Sequence, residues 1–121
     1  MVSARDIMSR KVVSTRPSCK VAEVTRVLYF HGISGLPVID DAHCVIGMVT
    51  EADILGRTTA QETVADIMTA PALTISEETP LEEIAALLTD KKVKRLPVVK
   101  DDKLVGIVSR ADVVRALAGR R

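Results

Sequence analysis

The feature that most constrains how this chain folds is an internal repeat. Three short blocks each occur twice in the same order, the first two at an offset of 60 residues and the third at 59. They are Asp6-Ile7-Met8-Ser9 with Asp66-Ile67-Met68-Thr69, Leu36-Pro37-Val38-Ile39 with Leu96-Pro97-Val98-Val99, and Gly47-Met48-Val49-Thr50-Glu51-Ala52-Asp53 with Gly106-Ile107-Val108-Ser109-Arg110-Ala111-Asp112. Self-similarity at a fixed period indicates a repeat architecture. We therefore predict two repeats, residues 1–60 and 61–121, that together form one module.

Each repeat follows the order β-α-β-β-α. A short apolar segment comes first, at residues 12–15 and 72–75, and an amphipathic helix follows it. Apolar residues recur in that helix at the spacing of one helical face. They are Val21, Val24, Val27 and Leu28 in the first repeat and Leu81, Ile84, Ala85, Leu87 and Leu88 in the second. Two strands come next, at 36–39 and 44–49 or at 96–99 and 104–108, and a short helix near 51–57 or 110–118 closes the repeat.

Local signals predict where several of these elements begin and end. We expect Thr79 to cap the second long helix, with Pro80 in its first turn and Glu82 bonding back to the cap. Gly32 suits the end of the first long helix. The first repeat has one extra residue in its turn near 41–43, and the polar residues 56–63 read as an exposed linker.

The predicted fold class is α+β. One repeat has a small sheet with a single apolar face, and such a sheet is too small to bury that face well alone. Two tandem β-α-β-β-α repeats packed sheet to sheet, with pseudo-twofold symmetry, can bury both faces. Pro37 and Pro97 are expected to limit pairing at a sheet edge and to fix the path of the chain.

The composition disfavours several classes of protein. The net charge is +1, from 17 basic and 16 acidic residues, so no excess charge attracts nucleic acid or an anionic membrane. Aromatic residues make up 2%, only Tyr29 and Phe30, which disfavours a binder of single-stranded nucleic acid. No export signal or membrane-spanning apolar stretch is present, and we expect a cytoplasmic protein with Cys19 and Cys44 reduced.

The repeated blocks resemble a known family. The Leu-Pro-Val-Ile/Val strand, the Gly-h-h-Ser/Thr-x-x-Asp block (h, hydrophobic) and the Asp-Ile-Met-Ser/Thr opening resemble those of the cystathionine-β-synthase (CBS) domain, over about residues 3–118. The resemblance implies a stand-alone CBS pair that binds AMP, ADP, ATP or S-adenosylmethionine as a regulatory ligand in clefts between the repeats. It further implies energy sensing, a homodimer, an effector protein reached in trans, and no required cofactor.

The resemblance also implies a set of ligand-binding residues. In the family's usual arrangement the Asp of one repeat holds the ribose, and the other repeat supplies the base pocket. Asp112 would serve a pocket lined by residues 12–15 and 33–37, and Asp53 a pocket lined by 72–75 and 93–97. The implied site residues are Asp53, Asp112, Thr50, Ser109, Arg110, Val13, Ser14, Thr15, Ile33, Ser34, Gly35, Pro37, Leu73, Thr74, Val93, Lys94, Arg95 and Pro97.

These residue types suit a nucleotide on chemical grounds as well. A carboxylate can accept charge-assisted hydrogen bonds from two neighbouring ribose hydroxyls. If Thr50 and Ser109 are N-caps, Asp53 and Asp112 lie in the first helical turn, whose free N–H groups attract phosphate. Branched side chains can wall a base, and the backbone near Ser14 and Thr74 can read its edge. The Ser/Thr-x-x-Asp pattern is also a common helix cap, and both roles can hold together.

Charge differs between the two implied sites. The second repeat has Lys91, Lys92, Lys94 and Arg95 where the first has His31, Gly32, Ser34 and Gly35. Arg110 follows Ser109, whereas Glu51 follows Thr50. We predict that the site using Asp53, with Lys94 and Arg95 nearby, and the site using Asp112 and Arg110 differ in affinity or in the number of phosphates they accept, although a run of lysines is ordinarily a solvated face.

The residues disfavour three alternatives to a ligand-binding module. An enzyme is disfavoured, since the chain lacks a Gly-rich phosphate loop, a zinc pattern and a nucleophile elbow. A metal site is disfavoured, because His31 and His43 have no ligand spacing with Cys19 or Cys44. A purely structural dimerisation module needs the same apolar faces but not the paired Asp residues, whose presence favours ligand binding. Met8 and Met68 are expected to fill the core or an interface.

Overall fold

The computed structural model describes residues 1–119, which divide into two compact units. We name residues 13–72 the continuous unit, and residues 1–12 together with 73–119 the split unit. Neither unit coincides with a predicted repeat. The opening residues of each repeat, 1–12 and 61–72, lie in the unit that holds the remainder of the other repeat. The repeats have therefore exchanged their openings.

Apart from the strand predicted at residues 12–15, the helices and strands appear in the predicted order, with two additional one-turn helices in the exchanged openings. In chain order they are α1 (Ala4–Ile7), α2 (Val21–His31), β1 (Gly35–Ile39), β2 (Val45–Thr50), α3 (Glu51–Leu55), α4 (Val64–Ile67), β3 (Ile75–Ser76), α5 (Leu81–Asp90), β4 (Arg95–Lys100), β5 (Lys103–Ser109) and α6 (Arg110–Ala118). The α+β class is thus confirmed.

The continuous unit packs α2 and α4 against a two-stranded sheet. Strands β1 and β2 pair antiparallel, from Gly35 opposite Thr50 to Ile39 opposite Val45, and Thr15 bridges to Val38 in parallel on the other side of β1. Helix α2 ends at Gly32, whose φ of 62° is left-handed and so favours glycine. The buried core consists of Val21, Val24, Leu28, Leu36, Val38, Val49, Val64 and Ile67. The apolar face predicted for this helix is confirmed.

The split unit has a three-stranded sheet in the order β3-β4-β5, in which β3 is parallel to β4 and β5 antiparallel. A two-residue turn joins β4 to β5, since Lys100 pairs with Lys103 and both Asp101 and Asp102 have positive φ. Its buried core consists of Ala4, Ile75, Leu81, Ile84, Leu88, Leu96, Val98, Val108 and Val113. Ala4 comes from the exchanged opening, so this core is complete only with residues 1–12.

The exchanged openings cross the hairpins at the repeated glycines. Met48 and Thr69 exchange two backbone hydrogen bonds of 2.9 Å, and Ser9 and Ile107 do the same at 2.9 and 3.0 Å. A Cβ atom on Gly47 would lie 2.9 Å from the carbonyl oxygen of Thr69 and 3.0 Å from the Met68 sulfur. At Gly106 it would meet the Met8 side chain. Glycine therefore allows the opening to lie on the strand, and both methionines pack against a core as predicted.

Three local expectations were wrong. Thr79 does not cap α5: the N-cap is Pro80, and the Thr79 hydroxyl accepts the Ser76 N–H (3.0 Å) in a tight turn before the helix. Residues 12–15 form no strand, only the single bridge of Thr15. Pro97 does not mark an edge, because β4 is the central strand; pairing with β3 begins one residue later, at Val98, where an N–H is available.

Residues 56–63 were predicted to form an exposed linker, and residues 56–60 of that segment are exposed. Within residues 1–119, every helix is too short or too polar to reach across a lipid bilayer.

We predict that Gly47→Ala destabilises the protein by about 1–3 kcal/mol, because its methyl group would press on a backbone carbonyl that no rotamer change can move. Denaturant unfolding monitored by circular dichroism measures the change. Gly119→Ala is the matched control, since a Cβ there meets nothing closer than 3.6 Å. Equal unfolding free energies for the two variants would contradict the proposed close approach.

A second prediction concerns the one-turn helix α4. The carboxylate of Asp66 accepts from the backbone N–H groups of Thr63 and Glu62 and from the Thr63 hydroxyl, and these bonds lower its pKa. A lowered pKa stabilises the fold above the ordinary Asp pKa of about 3.9, and this stabilisation is lost as pH falls through the folded-state pKa. Asp66→Asn should therefore be less stable than the parent near neutral pH, with the difference shrinking in acid.

Chemical unfolding over a pH series measures that difference. Asp101→Asn removes the same charge from an exposed turn whose positive φ suits asparagine, and so serves as the control. A difference between parent and Asp66→Asn that stays constant across the series would rule out the titration of Asp66 as its source.

Candidate functional site

Each unit contains one corner where a strand runs directly into a helix. In the continuous unit β2 ends at Thr50 and α3 begins at Glu51. The Thr50 hydroxyl accepts the Asp53 N–H at 3.4 Å, and Asp53 Oδ2 accepts from the Thr50 N–H (2.9 Å) and hydroxyl (3.1 Å). Thr50 is thus the predicted N-cap. We name residues 50–53 the Asp53 corner.

The split unit repeats this geometry between β5 and α6. The Ser109 hydroxyl accepts the Asp112 N–H at 3.3 Å, and Asp112 Oδ2 accepts the Ser109 N–H at 2.8 Å. The predicted N-cap is again confirmed. We name residues 109–112 the Asp112 corner. In both corners one carboxylate oxygen is committed to the cap, so the other, Oδ1, is the oxygen that remains for further partners.

The start of each hairpin lies beside the corner of the same unit. Gly35 pairs with Thr50, and the Glu51 N–H donates to the Ser34 carbonyl at 2.9 Å. Correspondingly, Arg95 pairs with Ser109. The Arg110 N–H donates to the Lys94 carbonyl at 3.0 Å. Residues 33–35 therefore meet the Asp53 corner and 93–95 the Asp112 corner. Hairpin register alone would have indicated this, because the first residue of one strand faces the last residue of the next.

The remaining residues of the implied lining lie along the strands. Thr15 is buried, and its N–H donates to the Pro37 carbonyl at 3.0 Å. Ser14 directly precedes it in the chain. Thr74 precedes Ile75, the first residue of β3, in the equivalent place. Val13, Ile33 and Val93 are half-buried, and Leu73 is 37% exposed. Pro37 and Pro97 are buried, which favours a structural role for them.

The Ser/Thr-x-x-Asp pattern occurs four times, not twice. Ser3 with Asp6 and Thr63 with Asp66 form the same cap, in which the Asp carboxylate accepts the N–H of the capping residue at 2.9 and 3.0 Å. The pattern by itself therefore indicates capping. What distinguishes the two corners is their environment: Asp53 and Asp112 are half-buried beside a hairpin, whereas Asp6 and Asp66 are exposed.

Two residues that the sequence did not single out contact the remaining carboxylate oxygens. The Thr69 hydroxyl donates to Asp53 Oδ1 at 3.4 Å. The Arg115 guanidinium donates to Asp112 Oδ1 at 3.2 Å, with the Arg115 side chain 75% exposed and that of Asp112 17% exposed. The i, i+3 spacing of Asp112 and Arg115 on one helix was the available signal for the second contact, whereas Thr69 arrives through the exchanged opening.

Lys94 and Arg95, which the sequence analysis grouped with Asp53, border the Asp112 corner of their own unit through their backbones, and Arg110 is held beside it. Arg110 donates its Nε–H to the Val93 carbonyl at 3.1 Å, which holds its side chain against residues 93–95. Lys94 is exposed and Arg95 half-buried. Cys19 and Cys44 are free thiols. Across residues 1–119 no three His, Cys, Asp or Glu side chains lie close enough together to hold a metal ion.

Comparison with known proteins identifies what these units match. Residues 4–58 and 64–119 each match the family model of the CBS domain. Protein MK0525 of Methanopyrus kandleri is 31% identical over 121 residues, which cover 94% of this chain. The chain spans only 62% of that relative and 23% of two further curated relatives.

Two solved structures share the fold over nearly their full length. CBSX2 of Arabidopsis thaliana in complex with AMP has a TM-score of 0.92 and 34% identity, covering 98% of this chain and 97% of that chain. The CBS domain pair of protein MJ0100, in complex with 5′-methylthioadenosine and S-adenosyl-L-methionine, has a TM-score of 0.90 and 27% identity, covering 100% and 99%.

Proposed function

The chain belongs to the CBS domain family and carries two CBS domains in tandem, and we propose that it is a regulatory module that binds an adenine nucleotide or S-adenosylmethionine. The observation that carries this proposal is the presence, in both units, of a half-buried aspartate at a strand-to-helix corner beside the start of a hairpin. AMP, 5′-methylthioadenosine and S-adenosylmethionine, the ligands of the two similar structures, share an adenosine moiety.

The corner chemistry suits the ribose of such a ligand. Each aspartate uses Oδ2 for the helix cap, which fixes the carboxylate in one orientation. Its Oδ1 has acceptor capacity beyond the single contact described above, because a carboxylate oxygen offers two lone pairs. One ribose hydroxyl can donate to the remaining lone pair, and its neighbour can donate to Oδ1 by displacing the existing contact. We assign the ribose to Asp53 and Asp112 and see Thr50 and Ser109 as the residues that position them.

The base is assigned to the strand segments that the sequence indicated. Val13, Ile33, Leu73 and Val93 supply apolar walls with accessible surface, and the backbone at Ser14 and Thr74 lies just before the first strand contact. Such a lining, mostly apolar with a few polar groups, is typical of small-molecule sites. The assignment of each aspartate to the base pocket of the other repeat stays a prediction.

Regulation requires that the ligand favour one conformation of the module. A ligand shifts such an equilibrium only by its differential affinity for the two conformations. We propose that an effector protein in trans reads the favoured conformation and that the module itself carries out no reaction. The homodimer, the response to ATP, energy sensing and the cytoplasmic location stay predictions.

Binding should raise thermal stability. With free ligand at a hundred times Kd the folded state gains roughly 2.7 kcal/mol, which scanning fluorimetry detects as a higher Tm. AMP, ADP, ATP and S-adenosylmethionine should be tested separately, with inorganic phosphate as the control. A flat Tm with every adenosyl ligand would favour the alternative, a structural dimerisation module without a small-molecule ligand.

Substitution of the corner aspartates should weaken binding while leaving the fold intact. Asp53→Ala with Asp112→Ala removes charge-assisted bonds of about 1.5–3 kcal/mol each, so we expect Kd to rise about tenfold to a hundredfold for each lost bond. Isothermal titration calorimetry with AMP and with S-adenosylmethionine measures the effect.

The chain offers a matched control for this experiment. Asp6→Ala with Asp66→Ala removes the same capping bond from two exposed helix starts. This double variant loses comparable helix stability and should bind as the parent does. Equal affinities of the two double variants would reject the ribose assignment.

A further inference from the structure

Four matching positions differ in charge between the repeats. The second repeat has Lys94, Arg95, Arg110 and Arg115 where the first has Ser34, Gly35, Glu51 and Gly56. Four cations thus correspond to three uncharged residues and one acid. The fourth position lies three residues after the corner aspartate and is Arg115 in the second repeat and Gly56 in the first.

The fold brings the backbone of these four positions to the Asp112 corner and fixes two of the side chains there. Arg95 lies opposite Ser109 in the β4–β5 register, and Lys94 accepts the backbone N–H of Arg110 at 3.0 Å. Arg110 is held to the Val93 carbonyl at 3.1 Å, and Arg115 is paired with Asp112 at 3.2 Å. Arg110 and Arg115 thus have their side chains held at the Asp112 corner, and the backbones of Lys94 and Arg95 border it.

The Asp53 corner lacks such a set. Its outer carboxylate oxygen meets the neutral hydroxyl of Thr69, and position 56 is glycine, which has no side chain to offer. Glu51, at the position of Arg110, adds a second negative charge. The matching positions of this corner therefore offer a phosphate group one additional carboxylate and three uncharged residues.

We propose that the Asp112 corner selects adenine nucleotides that carry phosphate over unphosphorylated adenosine, and that Arg115 sets this selectivity by exchanging its partner. This inference rests on the proposed nucleotide-binding function. When ribose hydroxyls donate to Asp112 Oδ1, the guanidinium of Arg115 gives up that oxygen and turns to the phosphate. Arginine suits this exchange because its planar set of N–H donors binds carboxylate and phosphate alike.

The exchange makes Arg115 act in opposite directions on the two ligands. With adenosine, Arg115 loses Asp112 and gains no new anion, so its ion pair competes with the ribose. With AMP, the lost carboxylate is replaced by a phosphate, so Arg115 contributes to binding. Removal of the Arg115 charge should therefore weaken the binding of AMP and leave the affinity for adenosine unchanged or higher. A residue with a merely structural role would not separate the two ligands in this way.

The test is calorimetry of Arg115→Gln with AMP and with adenosine, using the full chain with Asp53→Ala so that the heat reports the Asp112 corner. We expect Kd for AMP to rise about tenfold, Kd for adenosine to stay equal or fall, and Arg115→Lys to restore part of the AMP affinity. Arg26→Gln removes one exposed positive charge from α2 and controls for net charge. It should change neither Kd.

The outcomes separate this proposal from the one it rests on. Equal changes for AMP and adenosine in Arg115→Gln, with binding otherwise intact, overturn the role of Arg115 and leave the nucleotide-binding function standing. If the parent binds AMP and Asp53→Ala does not, the Asp112 corner does not bind the phosphorylated nucleotide independently, and the selectivity proposed for it is wrong. Absence of binding of either ligand to the parent overturns both proposals.

Discussion

The close approach of backbone to backbone at Gly47 is the constraint on which the continuous unit depends. The Thr69 carbonyl lies where any side chain on residue 47 would be, so the exchanged opening can hydrogen-bond directly to β2. That contact places the Thr69 hydroxyl within hydrogen-bond distance of Asp53. Strand β2 in turn delivers Thr50 to the helix start. The close packing at Gly47, six residues before Asp53, thus helps to position the carboxylate that we assign to the ligand.

The same motif caps four helices in this chain, and we propose a second role for two of the four. All four Ser/Thr-x-x-Asp sequences close a helix start, and in that respect the four aspartates are alike. Two of them sit at one-turn helices on the surface, whereas the other two are half-buried next to the first residues of a hairpin. Capping holds the carboxylate rigid without using all of its acceptor capacity. We therefore propose that the same cap also serves ligand binding at the two corners, where the aspartate is half-buried beside a hairpin.

Much of this architecture could be read from sequence because it is local. The helical faces of Val21–Leu28 and Leu81–Leu88, the caps Thr50 and Ser109, and the two hairpins all follow from spacing within ten or so residues. The failures came from contacts that spacing does not encode. Thr79 was predicted to cap α5, but its hydroxyl accepts the Ser76 N–H instead. Pro97 was predicted to lie at a sheet edge, but β4 is the central strand because β3 pairs with it. Thr69 could not be assigned to Asp53 without knowing that the openings cross over.

The exchange of openings also bears on ancestry. A half-length polypeptide ending near residue 60 would lack the second hairpin that its first twelve residues contact, and its core would lack the apolar side chains that Val64 and Ile67 now provide. Two such polypeptides trading their first segments would complete each other. Gene duplication and fusion would convert these contacts between two chains into contacts within one chain. Neither half of the fused chain would then complete its core alone.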